Sequence, residues 1–291
     1  MTSFVQFLFR TLSVLPLAVL HALGWGLGWL SFLSSGRYRR RLLAHARLAG
    51  VSRATALASV GEAGKLVAEL PRLWLGRPVA LDWDGADCIK AAQAQGRGVL
   101  FLTPHLGCFE ITAQAYALRF GARQPMTVLF RPARQPWLRE LVAGSRQRPG
   151  LHTAPTTLAG VKQLIKALKA GEVVGLLPDQ VPPDGQGVWA PFFGRDAYTM
   201  TLSARLAHAA NAQVLLAWGE RLRWGRGYRV HVRRYDEASW GALSSDAATA
   251  ARQINQAMER LVRECPRQYL WSYDRYKSPA AHHAPTGAPP A

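Results

Sequence analysis

The chain opens with a long apolar stretch. Between Arg10 and Arg37, the segment TLSVLPLAVLHALGWGLGWLSFLSSG carries no Asp, Glu, Lys or Arg. It is long enough to cross the hydrocarbon layer of a bilayer, about 30 Å thick. The pattern predicts a membrane helix that spans the bilayer or is deeply embedded in it. Pro16, His21 and the polar residues Thr11, Ser13, Ser31 and Ser34 lower its hydropathy, so a helix buried in the protein core is the alternative.

The residues around this stretch indicate how it is arranged. The cluster RYRRR at residues 37–41 follows directly, and the positive-inside rule then predicts that the rest of the chain faces the cytoplasm. A cleaved signal peptide fits less well, because these arginines stand where a small-residue cleavage site would be expected. Gly24 and Gly28 form a GxxxG pair, which serves either a dimer or close packing on the same protein.

Beyond residue 52, short β-rich runs alternate with helical ones. We predict helices at Arg53 to Leu75, Leu106 to Phe120, Trp137 to Arg146, 157–171, 201–211 and Ser245 to Cys265, and strands at Val99 to Thr103, Met126 to Phe130, Val173 to Pro178, 213–222 and 228–235. Strands separated by helices favour an α/β fold, with a central mixed sheet flanked by helices.

The pattern divides the chain into three parts. Residues 1–36 are expected to form an N-terminal membrane anchor, and residues 37–277 one α/β domain. The tail at residues 278–291, SPAAHHAPTGAPPA, lacks large apolar side chains, so we expect it to be disordered.

Charge narrows the choice of partners. The chain has 36 Lys and Arg against 18 Asp and Glu, a formal net charge of +18, and this favours anionic partners. No recognition-helix, zinc-finger or RNA-binding signature is present, so nucleic acid is not expected. Acidic lipid headgroups and acidic proteins remain as the expected anionic partners.

Three cysteines, Cys88, Cys108 and Cys265, stand far apart. Their spacing suits neither a disulfide framework nor a zinc site, and it is typical of a reducing compartment. Cys108 is expected to be a small buried thiol, with a nucleophile as the alternative. We expect neither a metal nor a bound cofactor.

The stretch TPHLGCFE places His105 and Glu110 in an otherwise apolar run, where a strand ends at Pro104. Residues five apart do not share a face of one helix, so the two side chains meet more easily if His105 lies in the turn and Glu110 in the first turns of the helix. Glu110 could then hold one ring nitrogen of His105 and leave the other to take a proton. The alternative is a hydrogen-bonded core histidine beside an ordinary helix-start glutamate.

Asp179 and Gln180 also follow a predicted strand, as His105 does. We expect them to support the same site, with turn capping as the alternative. Trp189, Phe192 and Phe193 could line an acyl channel, face lipid, or belong to the core.

Several blocks together resemble those of the bacterial lipid A late acyltransferases, within the lysophospholipid acyltransferase superfamily. They occur in the family's order between Phe7 and Lys277: TPHLGCFE, VLFRP, GSRQRPG, GEVVGLLPDQ, VWAPFFG and LWSYDRYK. The resemblance implies a glycerolphosphate-acyltransferase-like fold at the bacterial inner membrane. It also implies transfer of a fatty acyl group from an acyl carrier protein thioester to a hydroxyl of a lipid A precursor.

In this role His105 is expected to be the general base and Glu110 its orienting partner, because an alcohol must lose its proton as it attacks a thioester. By family position, Arg131 and Arg146 are candidates for binding the oxyanion or an acceptor phosphate, with surface salt bridges as the alternative. Backbone N–H groups at the start of the helix after His105 are the other oxyanion candidates. Val181 and Asp274 depart from the family pattern and leave the acceptor open.

Two other functions stay open. One is a lysophospholipid acyltransferase that uses acyl-CoA, for which HxxxxD is the more usual motif than the HxxxxE found here. The other is a membrane-tethered binding protein without catalysis.

Overall fold

The computed structural model describes residues 2–130 and 148–279. The helices are α1 (Thr2–Ser13), α2 (Leu17–Ser34), α3 (Gly36–Leu48), α4 (Arg53–Ala68), α5 (Leu70–Leu75), α6 (Ala86–Ala94), α7 (Phe109–Phe120), α8 (Leu158–Lys169), α9 (Leu202–Ala209), α10 (Glu237–Trp240) and α11 (Ala247–Glu264). The strands are β1 (Leu81–Asp84), β2 (Val99–Leu102), β3 (Met126–Phe130), β4 (Leu151–Pro155), β5 (Val173–Leu176), β6 (Gly187–Phe192), β7 (Arg195–Met200), β8 (Gln213–Arg221) and β9 (Tyr228–Arg234).

Seven strands form one mixed sheet in the order β1-β9-β8-β2-β5-β3-β4. β8 and β9 pair antiparallel, and the other neighbours pair parallel. Strands β6 and β7 form a separate antiparallel hairpin. The predicted α/β class with a mixed central sheet is confirmed.

The sheet separates two apolar layers, because successive side chains of a strand point to opposite faces. On β2, Leu100 and Leu102 join the cluster formed with α3, α4, α8, α9 and α11. Val99 and Phe101 join the cluster on the other face, formed with α6 and α7. Both faces of the central strands are therefore buried, as expected of parallel strands covered by helices.

Several element boundaries differ from the sequence prediction. The predicted helix from Arg53 to Leu75 is two helices that meet at Glu69, since Pro71 occupies the first turn of α5. Helix α7 begins at Phe109 rather than Leu106. Strands β1, β4, β6 and β7 were not predicted, and two of them, β4 and β6, contain a proline, which argues against a strand in the sequence. The predicted helix from Trp137 to Arg146 lies outside the described residues.

Helix α2 packs along α4 at glycine positions. A Cβ atom at Gly28 would overlap the Val60 carbonyl, and one at Gly64 would overlap the Gly24 carbonyl, so the backbones of the two helices lie in close contact. The GxxxG pair of α2 therefore packs on its own protein. The predicted division between an anchor at 1–36 and a domain at 37–277 falls inside this packed unit.

Within the described residues, α2 is the one helix that is long and apolar enough to cross a membrane, with a mean hydropathy of 1.4. A third of its residues are buried against the protein. Length and composition alone do not separate a spanning helix from one embedded in the core.

A buried ion cluster joins α2 to the end of α4 and the edge of the sheet. Glu69 is fully buried and accepts hydrogen bonds from Arg221 at 2.7, 2.9 and 3.1 Å, from Tyr228 at 2.9 Å and from His21 of α2 at 3.1 Å. Arg221 also donates to the Gly107 carbonyl at 2.9 Å, in the turn that follows β2. Burial raises the pKa of Glu69, but Arg221 and His21 outweigh it and hold that pKa at about 2.

The close contact of α2 with α4 predicts opposite effects for two nearby glycines. Gly28→Ala should lower the free energy of unfolding by roughly 1–3 kcal/mol, because the added methyl meets backbone. Gly26→Ala is the matched control, since open space surrounds that position, and it should be neutral or stabilise by about 0.5–1 kcal/mol. Thermal unfolding of the purified protein in detergent measures both, and equal melting temperatures for the two variants would contradict this packing.

The buried cluster predicts a large loss of stability in Glu69→Gln. The change leaves Arg221 charged and without its carboxylate partner in the protein interior, which costs roughly 3–5 kcal/mol. Because folding lowers the pKa of Glu69 from 4.5 to about 2, its contribution is complete above pH 4.5 and is lost as the pH falls from there toward 2.

The variant should lack that part of the acid dependence when urea unfolding is followed across pH. Asp87→Asn serves as the control, because the side chain of Asp87 is 90% exposed. Wild-type stability in Glu69→Gln would show that the cluster is not a stabilising element.

Candidate active site

Two neighbouring parallel strands bring the candidate residues together. β2 ends at Leu102 and β5 ends at Leu176, and these two residues are paired in the sheet. The segments that follow, residues 103–105 and 177–180, therefore leave the sheet at the same edge. This edge, at the carboxyl ends of the strands, is where open α/β sheets place their binding sites.

His105 and Asp179 form a close pair at this edge. His105 Nδ1 lies 2.7 Å from Asp179 Oδ1, and the His105 backbone N–H donates to Asp179 Oδ2 at 2.8 Å. The His105 side chain is 13% exposed, whereas that of Asp179 is 2% exposed. One carboxylate thus fixes both the backbone and the ring of His105.

The pair also fixes the tautomer of the ring. An ionised carboxylate only accepts hydrogen bonds, so Nδ1 carries the proton and Nε2 keeps a lone pair. The side-chain amide of Gln180 lies 2.9 Å from Nε2 and donates to it in this arrangement. A neutral imidazole held this way can accept a proton at Nε2.

Asp179 stays ionised despite its burial. Burial raises the pKa of its carboxyl, but the charge of His105 and the hydrogen bonds from His105 outweigh it, and the pKa falls below its ordinary value. Tyr269 donates to Asp179 Oδ2 at 3.3 Å. The carboxylate is therefore available to stabilise a protonated imidazole.

Glu110 occupies a different place from the one that its spacing predicts. It lies in the first turn of α7, is 9% exposed, and accepts a hydrogen bond from Trp74 Nε1 at 3.2 Å. The Nδ1 position of His105, which Glu110 was expected to hold, is taken by Asp179. Asp179 takes this position because the segments that carry Asp179 and His105 leave the neighbouring strands β5 and β2 at the same level. Both His105 and Glu110 nevertheless face one cavity.

The turn that carries His105 is held by backbone contacts. The N–H of Gly107 donates to the Gln268 carbonyl at 2.9 Å, and that of Cys108 donates to the Gly219 carbonyl at 2.8 Å. Gly107 has a φ of +60°, and a Cβ atom there would overlap the Gly219 carbonyl. Only glycine fits this position without strain.

The C-terminal block LWSYDRYK completes the site. The Leu270 N–H donates to the His105 carbonyl at 3.1 Å, and the Tyr273 hydroxyl accepts from the Val181 N–H at 2.9 Å. Asp274 of the same block pairs with Arg41 at 2.9 Å. Local sequence patterns did not predict these contacts, although the block itself was part of the resemblance.

A cavity of about 1260 Å³ opens beside His105. This exceeds the roughly 300–1,000 Å³ of common small-molecule sites. Its deeper wall is apolar and consists of one face of the sheet and the facing helices: Ile89 of α6, Ala113 and Tyr116 of α7, and Phe101, Met126, Val128, Ala217 and Val230 of the strands. Thr103, Gln180, Gln186, Arg205 and Lys277 add polar groups elsewhere in the lining.

Two groups of candidate residues remain, a pair of arginines and three aromatic residues of the VWAPFFG block. Arg131 and Arg146 lie outside the described residues. Trp189, Phe192 and Phe193 lie in and just after β6, and none of them lines the cavity. Phe192 and Phe193 are buried in the main core, whereas Trp189 is half exposed. The core alternative is therefore confirmed for Phe192 and Phe193.

Cys108 is fully buried behind the turn. Burial and the nearby Glu69 carboxylate raise the pKa of its thiol well above the ordinary value, which makes it a poor nucleophile. In residues 2–130 and 148–279, no three His, Cys, Asp or Glu side chains come together as metal ligands would.

Comparison with known proteins agrees with this geometry. The family model described as bacterial lipid A biosynthesis acyltransferase matches residues 1–278. The chain is 29% identical over 277 residues to a lipid A biosynthesis lauroyltransferase of Escherichia coli strain K12, covering 91% of this chain and 87% of that protein.

Two further relatives come from the same strain. A lipid A biosynthesis palmitoleoyltransferase is 28% identical over 201 residues, covering 68% of this chain and 61% of that protein. A lipid A biosynthesis myristoyltransferase is 26% identical over 193 residues, covering 66% and 57%. With a family model that spans nearly its whole length, the chain belongs to the bacterial lipid A biosynthesis acyltransferases and is an acyltransferase.

Proposed function

We propose that the protein transfers a fatty acyl group from the thioester of an acyl carrier protein to a hydroxyl of a lipid A precursor. The observation that carries this proposal is the ring of His105, held through Nδ1 by Asp179 beside a large, mainly apolar cavity. The family and the names of the relatives support the lipid A acceptor and secondary acylation.

The reaction needs one group that takes a proton and then returns it. As the acceptor hydroxyl attacks the thioester carbonyl, its proton moves to His105 Nε2 and a new C–O bond forms. The tetrahedral intermediate then collapses, the C–S bond breaks, and the imidazolium returns the proton to the departing sulfur. Asp179 stabilises the imidazolium between these steps, because its carboxylate lies 2.7 Å from Nδ1.

Gln180 occupies Nε2 in the structure, where the acceptor hydroxyl must bind. Its amide must turn away or change partner when the acceptor enters. Glu110 supports the site from the side of α7, where it faces the cavity and is held by Trp74. Arg131 and Arg146 remain proposed ligands of the oxyanion or of an acceptor phosphate.

The apolar part of the cavity suits the acyl chain. It extends between α7 and one face of the sheet as far as Ile89 and Trp83. Each methylene group buried there contributes roughly 0.8 kcal/mol. A thioester positioned at His105 would then place its chain along Ala113 and Tyr116.

The carrier-protein donor is supported by charge. A net charge of +18 attracts an acidic carrier protein as well as a phosphorylated acceptor. We further propose that the enzyme works at the inner membrane with its site on the cytoplasmic side, where the arginines after α2 would stay by the positive-inside rule. The sequence predicts a single-pass helix for this attachment.

Loss of the base should abolish measurable transfer. His105→Ala should lower kcat by about 100- to 10,000-fold, and Asp179→Asn should lose nearly as much, because the tautomer is no longer fixed. The double variant should be scarcely worse than His105→Ala, since residues that act as a unit give non-additive losses. Glu110→Gln should lose less than Asp179→Asn.

Acyl transfer to a lipid A precursor measures these effects, with circular dichroism to confirm folding. Asp184→Asn, an exposed carboxylate in the same loop, is the control. A folded His105→Ala variant that keeps a tenth of the wild-type rate would rule out the general base. In the same assay, equal kcat/KM with acyl-CoA and carrier-protein donors would remove the carrier protein from the proposal.

Filling the apolar pocket should shorten the preferred chain. Ala113→Phe places a ring where we locate the chain, and three methylenes forced out of the pocket would lower kcat/KM for a long donor by roughly 50-fold relative to a short one. Leu118→Phe, on the exposed side of the same helix, should leave the ratio unchanged. An unchanged ratio in Ala113→Phe would place the acyl chain elsewhere.

A further inference from the structure

The outer face of α2 is apolar and exposed. Val19, Leu23, Leu27, Leu30 and Leu33 lie on it and are 43–67% exposed. These positions recur at helical spacing along the whole length of α2, which is about 27 Å for 18 residues. An exposed apolar face of this length marks a surface that contacts either lipid or another protein.

The opposite face of α2 is buried from end to end. Leu17, Leu20, Gly24, Gly28 and Phe32 form this stripe. Gly24 and Gly28 lie directly on the backbone of α4. The helix is therefore embedded on one side in the protein along its full length.

The partner helix α4 cannot enter a bilayer. Its Ala56 and Val60 belong to the main core that also contains the sheet. It carries Glu62 and Lys65, which pair with each other, and it ends at Glu69 in the buried ion cluster. A helix that crossed the membrane with its inner face still on α4 would pull these charges into hydrocarbon, at about 2.5–3.5 kcal/mol for each.

Basic and aromatic residues flank the apolar face. Arg37, Arg39 and Arg40 are exposed after its C-terminal end, and Arg10 is exposed before its N-terminal end. A turn at residues 222–227 meets the first turn of α2, since a Cβ atom at Gly225 would overlap the Ala18 backbone. This turn presents Trp224, which is 87% exposed and has a φ of +61°, between the exposed Arg223 and Arg226.

From this packing we infer that α2 lies in the plane of an anionic lipid surface and is embedded in one leaflet, with the Trp224 turn as a second point of contact. The apolar face of α2 contacts the acyl chains of the membrane lipids, while the flanking arginines bind lipid phosphates. Tryptophan prefers this interfacial depth because its ring is amphipathic. This attachment differs from the single-pass helix predicted from the sequence.

A second copy of the chain fits this face less well. The small residues that allow close helix contact, Gly24 and Gly28, already face α4. The arginines at both ends would be repeated in the partner, and like charges would then repel across the interface. Charge complementarity therefore favours lipid phosphate over a second copy.

Depth measurement separates these arrangements in the full-length protein. Single spin labels are placed by cysteine substitution at Val19, Leu23, Leu27 and Leu33, in a Cys88→Ser background, because Cys108 and Cys265 are buried. The protein is reconstituted in phosphatidylcholine vesicles with about one third phosphatidylglycerol. Collision with oxygen and with a water-soluble nickel complex gives the depth of each label.

An in-plane helix gives one common depth at all four positions, about 5–10 Å below the phosphates. A spanning helix gives a profile that peaks near Leu27, about 15 Å deep, and returns to water at both ends, which would overturn the inference. Labels that all report water would overturn it as well, and dipolar broadening between labels would assign the face to a second copy.

The Trp224 turn has its own test with a matched control. A label at position 224 should share the depth of the α2 labels, whereas a label at position 189 should report water, because Trp189 is a half-exposed tryptophan on the β6–β7 hairpin, away from α2. In vesicles without phosphatidylglycerol, the label at position 224 should move toward water, because the arginines beside it lose their anionic partners. A label at position 224 that reports water in both lipids would remove this turn from the membrane contact.

Discussion

The buried pair of Glu69 and Arg221 connects parts of the chain that are far apart in sequence. Glu69 lies where α4 meets α5, Arg221 ends β8, and His21 and Tyr228 complete the cluster. A buried charge pair is favourable only when further hydrogen bonds satisfy both groups, and here the partners of Glu69 come from three elements, α2, β8 and β9. Through the Gly107 carbonyl, the same arginine supports the turn that carries His105.

The chemistry of the site follows from sheet order. β2 and β5 are neighbours and run parallel, so His105 and Asp179, 74 residues apart, leave the sheet side by side. β8, the parallel neighbour of β2 on its other side, and the C-terminal segment then hold the turn with backbone hydrogen bonds. The ring is oriented before any substrate binds, and in the proposed mechanism this preorganisation would lower the cost of proton transfer.

One face of the sheet serves both stability and function. Its apolar side chains pack against α6 and α7, yet between α7 and the strands they also line the deep part of the cavity. The opposite layer carries the main core and supports α4, on which α2 lies. Helix α2, the ion cluster and the turn that carries His105 are therefore successive contacts in one structure rather than separate modules.

The sequence by itself determined the α/β class, the apolar α2, the strand-end positions of His105, Asp179 and Gln180, and the family, because these depend on local periodicity and short motifs. It assigned the orienting carboxylate to Glu110, since only nearby residues can be paired from spacing. Which strands are neighbours, and that Gly28 faces α4, depend on contacts between distant segments, which local patterns do not encode. Tertiary structure alone therefore decided that Asp179 holds His105 and that one side of α2 belongs to the protein.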